Sequence, residues 1–167
     1  DRRQRQMCIR DRLCVILPAL ASIIPDLEQF KTGFRVGLFA PQSDQVVTTY
    51  SRSMTRLRSA NADMVLTDPD IDVWLESVAR LELSNGSFLA GQVASKQSKI
   101  ESKTYDLVIV EEAQDVDDLI VSKSIEPMLS STAGTLIKVG TTGMTKNHFY
   151  YEIKHNRELD RKCLDPR

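Results

Sequence analysis

The chain has 167 residues, of which 41% are hydrophobic and 27% are charged, as is ordinary for one globular domain with its own core. A net charge of -1 excludes a global basic field for nucleic acid but leaves room for a local basic patch. The three scattered cysteines form neither a zinc pattern nor a disulfide framework. No apolar stretch approaches the roughly 20 residues that a membrane span needs.

The first twelve residues differ from the rest. "DRRQRQMCIRDR" carries five arginines and two aspartates without a helical or strand period. It resembles the translated sequencing-adapter read-through found at the ends of metagenomic reading frames. We therefore predict that residues 1–12 are an artefactual, non-native segment of a metagenomic fragment. The alternative is a basic arm for nucleic acid or an anionic surface.

An apolar helix and a buried strand come first in the remaining chain. Residues 13–30 are apolar nearly all round, which predicts a buried helix or helix pair interrupted near Pro18 and Pro25. Residues 34–41 form a short apolar run that ends at Pro41, which is typical of a buried strand.

Residues 42–60 have the period of an amphipathic helix. Ser43 or Asp44 is the expected N-cap. The polar face carries three arginines that could contact DNA or a neighbouring subunit, although a solvated helix face is the simpler interpretation. The apolar positions are Val46, Tyr50, Met54 and Leu57, and the arginines are Arg52, Arg56 and Arg58.

The middle of the chain predicts a hairpin. Residues 63–70 suit a loop with a short strand, and residues 71–79 suit a weak helix or an extended segment. Two alternating runs in residues 80–94 flank Asn85-Gly86, which is a strong turn signal. Polar residues 95–104 predict a surface loop.

The last third alternates strand and helix. It predicts a strand at 106–111, a helix at 115–132 with acids in its first turn, a strand at 134–143 and a closing helix from Asn147. Short apolar strands that alternate with helices predict an α/β fold with a mostly parallel sheet covered on both faces. The loops "EEAQD" and "GTTG" would then lie at the carboxyl ends of strands, where ligands gather.

The segment "VIVEEAQD" resembles the Walker B motif of P-loop ATPases. A carboxylate at a strand tip can order Mg²⁺, often through water, and its neighbour can polarise the attacking water. Neighbouring strand residues point to opposite sides, so the two acids can take these two roles. The resemblance implies that Glu111 is the metal-side acid and Glu112 the catalytic base. The alternative is that both acids only open the next helix, a role for which Asp115, Asp117 and Asp118 already suffice.

Together, "VIVEEAQD" and "GTTGMTKNHFYY" resemble the ATPase domain of phage terminase large subunits. In that family a Gly/Thr-rich coupling motif follows the strand after Walker B, and a His-Phe-Tyr stretch follows closely. The resemblance implies that Thr142, or its neighbour Thr141, senses the γ-phosphate and relays hydrolysis to DNA movement. The corresponding turn is Gly140, Thr141, Thr142 and Gly143.

The resemblance implies a P-loop NTPase-like fold with an inserted β-hairpin. None of the seven glycines is followed by lysine, so the phosphate-binding motif G-x-x-x-x-G-K-[ST], called Walker A, is absent. We therefore expect a domain truncated before Walker A at residues 13–160, a truncated tail at 161–167, and little or no ATPase activity in this chain.

For the intact protein the resemblance implies a DNA-packaging ATP hydrolase that uses ATP and Mg²⁺ and carries a C-terminal nuclease domain. It would translocate double-stranded DNA as a homo-oligomeric ring, with a portal protein and a small terminase subunit as partners. It would act in the host cytoplasm, transiently at the procapsid portal, without a membrane.

Two other functions remain open from the sequence. "EEAQD" also resembles helicase Walker B segments, which suits a helicase-like nucleic-acid translocase. A non-catalytic α/β binding module would use the acids only as helix caps. His148 and His155 have no spacing or partner set for a metal, and no serine has the histidine and aspartate partners of a nucleophile.

Overall fold

A computed structural model describes residues 33–57, 73–77, 79–83, 86–95, 103–141 and 146–164. The helix predicted at 13–30, the loop predicted at 63–70 and residues 96–102 of the predicted surface loop lie outside this part of the chain.

The described strands form one six-stranded sheet in the order β2-β3-β4-β1-β5-β6. β1 pairs in parallel with both β4 and β5, and β5 pairs in parallel with β6. The mostly parallel sheet predicted from the sequence is therefore confirmed. The strands are β1 (Arg35–Ala40), β2 (Val73–Ser77), β3 (Arg80–Leu83), β4 (Phe88–Val93), β5 (Leu107–Val110) and β6 (Thr135–Lys138).

The predicted hairpin is formed by β3 and β4, which pair antiparallel with Leu81 opposite Leu89. Gly86 in the turn has φ 82°, a backbone angle that glycine adopts without a steric penalty. The preceding segment, predicted as a weak helix or an extended piece, is extended and adds β2 antiparallel to β3.

Helix α1 (Ser43–Leu57) follows β1 as the apolar period predicts. Val46, Tyr50 and Met54 are all buried. The helix begins at Ser43, so Asp44 lies in its first turn, where a negative charge is favoured.

The helix predicted at 115–132 forms in part, as one continuous but irregular helical run at residues 118–129. A 3-10 turn at Ala113–Asp115 precedes it. We call the irregular run the mixed helix: α2 (Asp118–Ile120), a π turn (Val121–Ile125) and a 3-10 turn (Glu126–Leu129). Pro127 has no N–H to donate, and in a regular α-helix its ring would clash with the preceding turn, which favours the irregular hydrogen-bond pattern here.

Apolar side chains cover both faces of the sheet. On one face, alternate residues of β1 and β5 pack against Tyr50 and Met54 of α1. On the other face, the intervening residues pack against the mixed helix. The first set is Val36, Leu38, Leu107 and Ile109, and the second is Phe39, Val108, Val110, Val121, Ile125, Met128 and Leu129.

Helix α3 (His148–Leu164) closes the described chain. Phe149 in its first turn is buried in the second of these clusters. Lys138 Nζ, at the end of β6, lies 2.7 Å from Glu152 Oε1 and 3.0 Å from Oε2. These contacts hold the start of α3 near the carboxyl end of β6. None of the helices in the described ranges is long and apolar enough to span a membrane.

An ion pair between Arg35 and Asp106 joins strands at the amino edge of the sheet. Asp106 Oδ2 accepts from the Arg35 backbone N–H at 2.8 Å and from Nε at 3.0 Å. The hydrogen bond that Arg35 donates to Asp106 raises the pKa of the Arg35 guanidinium. The Asp106 carbonyl also accepts from Thr135 N at 2.9 Å. Asp106 therefore ties β1 and β6 to the start of β5.

We expect Ile125→Ala to lower the free energy of unfolding by about 2–5 kcal/mol, because Ile125 is 0% exposed beneath the sheet and its truncation leaves a cavity. Urea denaturation measures this loss. The matched control is Leu119→Ala in α2, where the side chain is 58% exposed and the change should stay within about 0.5 kcal/mol. Equal losses in the two variants would contradict this packing.

Candidate functional site

The carboxyl ends of β1, β4, β5 and β6 meet at one edge of the sheet, because these strands are mutually parallel. Glu111 N donates to Phe39 O at 2.7 Å, and Val139 N donates to Val110 O at 2.8 Å. These bonds extend the pairing just past the strand ends. They hold "EEAQD" and the start of "GTTG" side by side, as the sequence predicts.

Glu111 is a buried carboxylate at the tip of β5. It is only 2% exposed and continues the face of Leu107 and Ile109, toward α1. Thr49 of α1, 3% exposed, donates its hydroxyl to Glu111 Oε2. Burying a charged carboxylate costs free energy unless hydrogen bonds satisfy it. The Thr49 hydroxyl therefore stabilises Glu111 in its buried position.

Glu112 adopts a left-handed backbone conformation, with φ 48° and ψ 47°. For a residue with a side chain this conformation costs on the order of 1–3 kcal/mol, and such strain clusters at functional sites. This turn directs the chain away from the strand at Glu112, so the two acids at the tip of β5 lie in different environments. Glu112 is half-buried, whereas Glu111 is fully buried.

Helix capping does not account for Glu112. It stands at the N-cap position of the 3-10 turn, yet within the described part of the chain its side chain makes no capping hydrogen bond. Asp117 is the residue that caps α2, and its Oδ1 accepts from Leu119 N at 2.8 Å. The alternative in which both acids only open the next helix therefore loses its main support for Glu112.

The Gln114 amide connects the two loops. Its Nε2 donates to Glu112 Oε2 at 2.7 Å and lies 3.3 Å from Asp115 Oδ2. Its Oε1 accepts from the backbone N–H of Thr141 at 3.0 Å. At Gly140 a Cβ would collide with Gln114 Oε1 and lie 3.1 Å from Ala113 N, so a side chain here would displace the Gln114 amide.

Asn147 extends the connection to α3. Its Nδ2 donates to the Gln114 carbonyl at 2.8 Å, and its Oδ1 accepts from Tyr150 N at 3.1 Å, which caps the first turn of α3. His148 N also donates to Asp118 Oδ2 at 3.2 Å. The start of α3 is therefore hydrogen-bonded to the segment that follows β5.

The structure brings together only some of the predicted site residues. Gly140 and Thr141 lie beside Gln114, while Thr142 and Gly143 are outside the described residues. Arg52 is exposed on α1. Arg58 and the side chain of Arg56 are also outside the described part, so the predicted arginine contact stays a prediction.

Three residues of the site were missed from the sequence: Thr49, Gln114 and Asn147. Thr49 is a polar residue next to the buried apolar positions of α1, and a polar residue in such a position could have indicated a site residue. Asn147 immediately precedes a helix, as N-cap residues do. For Gln114 the local sequence offers no signal, because its partner Thr141 is distant along the chain.

A cleft of ≈ 530 Å³ opens beside Gln114, between the ends of β1 and β4 and the mixed helix. Three of its lining residues are aspartates, Asp115, Asp117 and Asp118, which disfavour phosphate there. Glu111 and Glu112 do not line it. Among the described residues, no group of three or more His, Cys, Asp or Glu side chains is placed to hold a metal.

No family model matches the sequence, and no curated protein matches it. Among solved structures, the fold is similar to the large terminase ATPase domain of Thermus phage P74-26, with a TM-score of 0.62, 21% identity and 80% of this chain covered. An arginine-to-alanine variant of that domain gives a TM-score of 0.63 with the same identity and coverage. The chain spans 56% of the length of each of these structures.

These comparisons confirm the resemblance to a terminase ATPase domain at the level of the fold. The predicted α/β fold class, a mostly parallel sheet with flanking helices and a hairpin, is confirmed as well.

We expect Gly140→Ala to destabilise the protein by about 1–3 kcal/mol, because the added methyl group must displace the Gln114 amide or the backbone of Ala113. Thermal unfolding followed by circular dichroism measures the loss. Thr141→Ala is the control: it keeps the N–H that binds Gln114, and its effect should stay within about 0.5 kcal/mol. A Gly140→Ala protein as stable as the wild type would show that the close approach is not required.

Proposed function

We propose that the chain is a fragment of the ATPase domain of a phage terminase large subunit, a motor that couples ATP hydrolysis to the movement of double-stranded DNA. The observation that carries the proposal is the pair of acids at the tip of β5. Glu111 is buried toward α1, and Glu112 is held in a strained backbone conformation beside the following loop. The likeness in fold to a terminase ATPase domain supports the same function.

The residues present fit a magnesium site completed by a nucleotide. Mg²⁺ prefers oxygen ligands and commonly takes one or two carboxylates, with phosphate and water oxygens filling the remaining positions. Glu111 and the Thr49 hydroxyl supply oxygens of this kind on the α1 side of the sheet. When bound, Mg²⁺ would neutralise charge on the phosphates. Glu111 would hold it, directly or through water.

Glu112 is the proposed general base. A carboxylate can orient a water molecule and accept its proton when its own position is fixed. The hydrogen bond from Gln114 to Oε2 fixes the Glu112 carboxylate within the described chain. The loop of Gly140, Thr141, Thr142 and Gly143 is the proposed sensor, which would relay hydrolysis to DNA.

The proposal extends to the partners of the whole motor. We place the intact protein in a homo-oligomeric ring that contacts double-stranded DNA, a portal protein and a small terminase subunit, in the host cytoplasm and transiently at the procapsid portal. Arg52, Arg56 and Arg58 are proposed to contact DNA or the neighbouring subunit. Only Arg52 has a described side chain, and its exposure on α1 suits such a contact.

A purified preparation of this chain alone should show little or no ATPase activity, because its sequence has no lysine-bearing phosphate loop. A phosphate-release assay with Mg²⁺ and ATP measures it. ATPase activity that co-elutes with the protein peak on a size-exclusion column, in proportion to protein concentration, would contradict the prediction.

Glu112→Gln should slow hydrolysis about 10²–10⁴-fold in a longer protein that joins this chain to its phosphate loop, because Gln cannot accept the proton. The gene for that protein can be sought by reading the source DNA upstream of residue 13. The measurements are steady-state ATPase rates and binding of a fluorescent ATP analogue, which should change little. Glu126→Gln, at an exposed glutamate of the mixed helix, is the control.

Unchanged turnover in Glu112→Gln would refute the assignment of the base. Absence of turnover in the unsubstituted longer protein would favour a binding module in which the acids have no catalytic part. A second RecA-like domain in the longer gene, in place of a nuclease domain, would favour a helicase-like translocase instead.

A further inference from the structure

We propose that Gln114 is a positioning residue that couples the Glu112 carboxylate to the backbone of the Gly140–Thr141 loop. The coupling itself requires only the hydrogen bonds described above. Its meaning for catalysis rests on the proposed function of Glu112. The supporting observation is that the Gln114 amide is hydrogen-bonded to Glu112 on one side and to Thr141 on the other.

The chemistry of the amide fixes its orientation. Nε2 faces two carboxylate oxygens, on Glu112 and Asp115, and can only donate to them. Oε1 faces the Thr141 N–H and can only accept from it. If the amide were flipped, Oε1 would face the two carboxylates and Nε2 would face the Thr141 N–H, so neither atom could form a hydrogen bond. The charge on Glu112 therefore helps to determine which way Gln114 presents its acceptor to Thr141.

The geometry around Gln114 makes this connection specific. Gly140 has no side chain where Gln114 Oε1 lies, so the loop approaches closely enough for the Thr141 bond. Asn147 binds the Gln114 carbonyl and caps α3. The backbone of Gln114 is thus held by α3, while its side chain is held by Glu112 and Thr141. A change at Glu112 has a direct route to the loop and leaves the α3 contact in place.

The first test uses this chain without nucleotide. The backbone amide signal of Thr141 is recorded by ¹⁵N–¹H NMR in the wild type, Glu112→Gln, Gln114→Met and the double variant. We expect Glu112→Gln to shift the Thr141 signal in the wild-type background. In the Gln114→Met background the same change should leave the signal within its line width, because the connecting amide is gone.

Amide hydrogen exchange gives a second measurement. Exchange at Thr141 N–H should accelerate at least about tenfold in Gln114→Met, since the N–H loses its acceptor. Gln92→Met on β4 is the matched control, as the same substitution at a glutamine that takes no part in these contacts, and it should leave Thr141 exchange unchanged. A Thr141 shift that survives in the Gln114→Met background, or unchanged exchange, would overturn the inference.

The longer protein separates this inference from the proposed function. If both hold, Gln114→Met lowers kcat about tenfold with little change in KM, because Glu112 is misplaced while nucleotide binding is kept. If Glu112→Gln abolishes hydrolysis but Gln114→Met leaves kcat unchanged, the positioning role is wrong and the proposed function stands. If the NMR coupling is present but Glu112→Gln hydrolyses ATP normally, the proposed role of Glu112 as general base fails and the physical coupling stands.

Discussion

The structure depends on the burial of β5 on both of its faces. Each of its four residues, Leu107–Val110, is buried, and parallel neighbours β1 and β6 take up its backbone hydrogen bonds. A strand in this position offers no place for a polar side chain along its length. Polar chemistry can begin only where the chain leaves the sheet, at Glu111. The same pairing aligns the ends of the neighbouring strands with that point, so one constraint both creates the core and concentrates the polar residues at one edge.

The two acids at that edge are held at an energetic disadvantage of two different kinds. Glu111 is a carboxylate in a buried environment, stabilised by the Thr49 hydroxyl. Glu112 has strained backbone angles, and its side chain is held by Gln114. Proteins commonly accept such local instability where a function requires it. The large apolar clusters on both faces of the sheet supply the stability that makes it tolerable.

Much of the sheet could be predicted from the sequence, because buried parallel strands read as short continuous apolar runs and the hairpin is marked by Asn85-Gly86. The mixed helix was predictable only in part by the same reasoning. Its composition is helical, but Pro127 removes one donor and breaks the regular hydrogen-bond pattern. The strand-tip acids were visible as an abrupt change from apolar to charged residues. The contacts of Thr49, Gln114 and Asn147 were not, since they join positions that are distant in the chain and are defined only by the fold.

The ion pair between Arg35 and Asp106 lies at the opposite end of β5 from the acids. Asp106 and Glu111 are five residues apart, and at a rise of about 3.3 Å per residue they are separated by roughly 16 Å, beyond the distance at which substitutions usually interact. The ion pair and the two acids therefore stand at separate ends of the same strand. An engineer could strengthen the end near Arg35 to obtain a more durable protein, and the gain should add to, rather than alter, any change made at the end near Glu111.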